Sequence, residues 1–133
     1  LAFQVSFVRQ HSYAGPGDSI TLPVMLSAGP KRVELFASLD TGAAYCVFQR
    51  IYARALGLEL ERGVPMNFAT ANSRFQAFGH EVTITTLDLE VHSLVFFFAD
   101  ADIPKNVLGR HGWLDRLKLG IEDYDQMLYL GGY

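Results

Sequence analysis

Val33-Glu34-Leu35-Phe36-Ala37-Ser38-Leu39-Asp40-Thr41-Gly42-Ala43 runs an apolar strand straight into a small polar loop. An ionisable carboxylate placed after such a strand, then a hydroxyl residue, then a glycine over which backbone can pass closely, is a way to hold an acid in fixed geometry. Asp and Gly are also turn residues, and the Asp-Thr/Ser-Gly tripeptide arises by chance in about one chain in twenty at average usage. A second stretch, Pro104-Lys105-Asn106-Val107-Leu108-Gly109-Arg110, gives the first its meaning. It follows the apolar run Leu94 to Ala99 and lies about seventy positions beyond Asp40.

Outward from these two stretches the chain reads as mainly β. Two-residue alternation marks half-buried strands at Phe3 to Phe7 and at Leu87 to His92. The turn clusters Gly15-Pro16-Gly17-Asp18 and Ala28-Gly29-Pro30-Lys31 bracket a strand near Ser19 to Ser27, ahead of another over Arg32 to Leu39. Met66 to Gln76 reads as a hairpin with Asn72-Ser73 at its tip. Two helices interrupt the strands. The first sets Phe48, Ile51, Tyr52, Ala55 and Leu56 on one face and stops at Gly57. The second is short, with Trp113, Leu114 and Leu117 together and Gly120 as its end, before strands near Leu119 to Glu122 and Met127 to Leu130.

The pair Leu39-Asp40-Thr41-Gly42-Ala43 and Val107-Leu108-Gly109-Arg110 resembles the retropepsin family of aspartic proteases. In that family an Asp-Thr/Ser-Gly-Ala loop is followed by a hydrophobic-hydrophobic-Gly motif. The likeness extends over nearly the whole chain, and the helix after the loop is closer to cellular and bacterial single-domain members than to the compact viral enzymes. It implies a closed, barrel-like acid-protease fold with one or two short helices, residues 1–133 forming a single domain that is half of a two-fold dimer. It also implies an aspartic endopeptidase. Two carboxylates must share one proton, one acting as base on water and the other as acid, and this chain has one Asp-Thr-Gly. A homodimer contributing Asp40 twice is therefore expected. Aspartic proteases are the standard example of such coupled carboxylates, and activity on the acid side follows.

The resemblance assigns the other roles. Thr41 braces the pair across the subunits, Gly42 and Ala43 complete the active-site loop, and Leu108 and Gly109 pack beneath it. Ala44, Ile103 and Pro104 stand where substrate is bound, Ile103 and Pro104 as subsite wall. Phe68, Thr70 and Asn72 belong to a flap that covers substrate, although viral flaps are richer in glycine. Viral members carry a second Asp where this chain has Ala44, which leaves Arg110 to pair with Asp115, with Glu122 or with water.

Composition sets the outer bounds. A chain of 133 residues, 50% hydrophobic and 19% charged, folds without metal or disulfide staples, and its single Cys46 can form no internal bridge. A net charge of -3 offers nothing to a nucleic-acid backbone or an anionic membrane, and no apolar run is long enough to span a bilayer. His11, His80, His92, His111 and Cys46 lack metal-site spacing, so neither metal nor cofactor is expected. The serines lack a nucleophile-elbow context, and Phe96-Phe97-Phe98 reads as a strand buried on both faces. The sequence leaves the compartment open, the lone thiol favouring a reducing, cytoplasmic one. A start at Leu1 without Met fits a fragment or processed form, with room for an upstream signal, anchor or domain. Against the peptidase stand two other readings: a retropepsin-fold dimer that binds peptide or scaffolds without turnover, and a plain small β-barrel with a chance tripeptide.

Overall fold

The computed structural model describes all residues, Leu1–Tyr133. Ten strands form two sheets: β1 (Arg9–Ser12), β2 (Thr21–Ala28), β3 (Lys31–Leu39), β4 (Val47–Phe48), β5 (Val64–Ala69), β6 (Arg74–Thr86), β7 (Leu89–Phe98), β8 (Val107–Leu108), β9 (Lys118–Glu122) and β10 (Met127–Gly131). The larger sheet has the order β2-β3-β8-β4-β7-β6-β5. A further pairing of β2 with β6, Met25 opposite Thr85 and Leu26 opposite Ile84, joins its ends into a closed barrel with β5 outside the ring. The smaller sheet has the order β1-β10-β9.

Alternation determines which side chains enter the barrel. Leu22, Val24 and Leu26 of β2 are buried with Leu35 and Ala37 of β3, while Pro23, Glu34 and Phe36 face out. Val82 and Ile84 of β6 join them, Ile84 directly across from Leu26, and β7 ends in three consecutive buried phenylalanines, Phe96 to Phe98. Such a run is the mark of a strand covered on both faces. One hydrophobic cluster of 20 buried residues, including Trp113, Leu128 and Leu130, links the barrel with the smaller sheet. No helix is long and apolar enough to cross a membrane.

Four sequence expectations are corrected. Phe3 to Phe7 forms no strand; β1 lies further on, with Arg9 opposite Leu130, and residues before Ser6 run past the end of β10. Alternation there has no sheet face to cover, so Phe3 stays 89% exposed and only Phe7 tucks in, against Gly120 and Tyr129. Leu87 and Asp88 form a two-residue turn with positive φ at both, the backbone that a right-twisted hairpin requires, and β7 begins at Leu89. The helix α1 is short, Arg50–Ala55, and buries Ala53 with Leu56 just beyond it, leaving Ile51 62% exposed. Gly57 does end it: at a left-handed φ of 70°, its N–H donates to Arg54 O and the Leu58 N–H donates to Ala53 O. The second helix is a single 3-10 turn, Leu114–Arg116, and Gly120 lies within β9 under the Phe7 ring.

Candidate functional site

Asp40 leaves the end of β3 at a place where the backbone is held from several sides. Ser38 and Leu39 pair in parallel with Val107 and Leu108 of β8, and the Asp40 N–H donates to Leu108 O at 3.0 Å. The loop then closes on itself, with the Ala43 N–H on Asp40 O at 3.1 Å and the Gly42 N–H on Asp40 Oδ1 at 2.9 Å. That last bond fixes the carboxylate through one oxygen and leaves the side chain exposed.

The second stretch docks under this loop. Arg110 N–H donates to Ala43 O at 2.9 Å and His111 N–H to Ala44 O at 2.8 Å, while Gly109 N–H meets Cys46 Sγ at 3.4 Å. A Cβ on Gly109 would stand 2.3 Å from Tyr45 O and 2.9 Å from Ala43 O, so only glycine permits this approach. Asn106 adds a brace absent from the sequence reading. It accepts the Gln49 N–H at 2.9 Å, donates to Gln49 Oε1 at 2.8 Å, and receives Ser38 N–H on its carbonyl. An Asn before two apolar residues carries no distinctive signal, and only the strand crossing reveals its use.

Asp40, Thr41, Gly42, Ala43, Leu108 and Gly109 thus form one backbone-bonded unit. Thr41 is exposed and its hydroxyl engages nothing within the chain. The expected hairpin is present, with Asn67 opposite Gln76 and Phe68 opposite Phe75, and Thr70 N–H closes its loop on Ser73 O at 2.8 Å. Thr70 and Asn72 are open to solvent, whereas Phe68 turns inward. Its ring packs edge-on against Tyr45 and Phe96, and Tyr45 also meets His111. Ala44 and Pro104 are exposed, and Ile103 is 9% exposed within its loop. Arg110 makes no ion pair, because Asp115 is engaged by His111 and Arg116 instead.

Cys46 is sealed in the core behind the loop, and burial pushes its thiol up to about 11, so it remains neutral and unreactive at ordinary pH. No group of His, Cys, Asp and Glu side chains is arranged to hold a metal ion. Three of the six surface clefts, of about 710, 400 and 590 Å³, lie beside α1, beside β1 and over β2–β3. None of these three includes Asp40.

A family model described as aspartyl protease matches residues 23–120, which takes in both the Asp40 loop and the Gly109 crossing. A retropepsin-like aspartic protease from Rickettsia conorii is similar in structure, with a TM-score of 0.66 and 20% identity over 92% of this chain and 98% of that one. The EIAV protease, solved with an inhibitor, gives a TM-score of 0.54 and 22% identity over 70% of this chain and 83% of its own. No curated protein matches the sequence as a relative. The closed barrel is accordingly a retropepsin fold, and since the matched model spans well over half of its length, the chain belongs to the aspartyl protease family.

Proposed function

We propose that residues 1–133 act as one catalytic domain, an aspartic endopeptidase that works as a homodimer with an Asp40 from each subunit. The observation that carries this reading is the placement of Asp40. Its backbone is fully tied, its carboxylate is oriented by the Gly42 N–H and open to solvent, and it lines none of the three main clefts of the single chain. A carboxylate so fixed and so uncovered is half of a site that a second copy completes. Thr41, exposed and without a partner, is free to bond across the two-fold axis.

With one proton shared by the pair, the ionised Asp40 takes a proton from water as that water attacks the peptide carbonyl carbon. The protonated Asp40 gives its proton to the carbonyl oxygen. Collapse of the tetrahedral adduct breaks the C–N bond, and a proton passes to the departing amine. Activity is greatest on the acid side, where the shared proton is retained. No cofactor takes part. An extended peptide, a segment of a protein substrate, lies between the pair and the β5–β6 hairpin, which serves as a flap. Ala44, Thr70, Asn72 and Pro104 face it, the inward-turned Phe68 and the buried Ile103 back them as apolar wall, and apolar side chains are preferred next to the cut. Ala44 supplies no charged anchor, so outer positions are read loosely.

Digestion of a peptide library by wild type and by Asp40→Asn tests the proposal. The expected result is cleavage between apolar residues that vanishes in the variant while the dimer persists. Binding of an apolar peptide with no cleavage by either protein would favour the scaffold reading, for which the unpaired Arg110 and the neutral Ala44 are the specific observations.

A further inference from the structure

Four aromatic rings form a cluster of their own. Tyr45 lies 5.3 Å from Phe96, 5.4 Å from His111 and 6.3 Å from Phe68, centroid to centroid, and Phe68 lies 5.8 Å from Phe96. The contacts of Tyr45 with Phe68 and Phe96, and of Phe68 with Phe96, are edge-to-face, the arrangement favoured by ring quadrupoles. None of the four belongs to the main hydrophobic cluster; Tyr45 and Phe68 are half-buried and His111 is exposed. The cluster therefore adds a separate fastening at the barrel's rim.

Its members come from four separate pieces of chain. Tyr45 follows the Asp40 loop and pairs with His111, just beyond the Gly109 crossing. Phe68 stands on β5, one pair before the hairpin loop, and Phe96 lies on β7. Gly79 faces Phe96 across the sheet, and a Cβ there would come within 2.9 Å of its ring. Space has been left for that ring to stand where Tyr45 and Phe68 reach it. Tyr45 is the hub, touching the other three rings, and its carbonyl is the atom that the Gly109 crossing presses against. The tyrosine hydroxyl has no hydrogen-bond partner, so the ring alone makes these contacts.

We propose that Tyr45 is a positioning residue whose ring pins the root of the β5–β6 hairpin, through Phe68, to the loop that carries Asp40. Movement of the hairpin is then confined to the residues beyond the Phe68–Phe75 pair, and the tip returns to one height above the carboxylate. This deepens the peptidase reading and rests on it for the kinetic consequence; the fastening itself does not.

Amide exchange of the uninhibited protein tests the fastening without any need for turnover. Tyr45→Ala and Phe68→Ala are each expected to speed exchange over Asn67 to Phe75 by about tenfold, with β2 and β3 unchanged. Tyr45→Phe, which keeps the ring, should match wild type. The double variant should exchange no faster than either single one, because both remove the same contact. On an apolar peptide, Tyr45→Ala should raise KM several-fold and alter kcat by less than about twofold, since substrate is held less well and the acid pair is untouched. Unchanged exchange in both alanine variants, additive effects in the double variant, or a Tyr45→Phe as impaired as Tyr45→Ala would overturn the proposal. If wild type cleaves no peptide, the exchange results still decide the fastening, and only the peptidase reading fails.

Discussion

Asp40 and Gly109 carry opposite burdens, one chemical and one steric, and substitutions separate them. Asp40→Asn keeps the shape and the acceptor for the Gly42 N–H but cannot take a proton from water. Turnover should fall by on the order of 10²–10⁴-fold, measured as kcat on a fixed peptide, with the melting temperature nearly unchanged. Gly109→Ala places a methyl where Tyr45 O stands 2.3 Å away, with backbone on both sides. Its cost should be about 1–3 kcal/mol or more in denaturant unfolding, the range for overpacked sites, and activity should fall with stability. Cys46 gives a third residue-level outcome. Its folded thiol ionises only near 11, whereas an unfolded one does so near 8.5, so its contribution to stability is complete below about pH 8.5 and is lost as pH rises through 11. Cys46→Ala should flatten the alkaline decline in stability by about 2–3 kcal/mol at most, read from urea midpoints between pH 8 and 11.

At the scale of elements, the chain was legible where pattern and environment agree. β2 and β3 alternate cleanly because one face covers the barrel interior, and the Asp40 loop and Gly109 crossing stand out because their chemistry and steric needs allow few residue types. Phe3 to Phe7 alternates just as cleanly but extends past the end of β10, and no local pattern records where a partner strand stops. Leu87-Asp88 continues the strand alternation in sequence because its turn uses neither Asn-Gly nor Gly, although it adopts the same positive-φ backbone. Ile51 falls on the apolar face by spacing yet stands exposed, since a six-residue helix is too short for periodicity to choose a side. Asn106, Tyr45 and His111 were missed at the site for a related reason: each matters through a non-local contact. The β5–β6 hairpin supplies the prediction at this scale. Closure over a peptide excludes water from the acid pair. Exchange over Asn67 to Gln76 should therefore slow when a pepstatin-type transition-state mimic is bound; equal protection with and without the bound mimic would leave the segment an ordinary surface hairpin.

The whole molecule presents a closed barrel whose candidate acid stands outside its three main clefts, and a peptidase built on that acid requires a second copy. Sedimentation across a dilution series should show specific activity falling together with the dimer fraction. The more direct measurement mixes subunits. Wild type and Asp40→Asn, unfolded and refolded together in varied proportion at constant total protein, assort into wild-type, mixed and variant dimers. If one proton-sharing pair needs an Asp40 from each chain, activity should fall with the square of the wild-type fraction, because only dimers with two wild-type chains can act. Activity that falls in simple proportion to the wild-type fraction would mean that each chain acts with its own Asp40 alone, and would contradict the paired-carboxylate site.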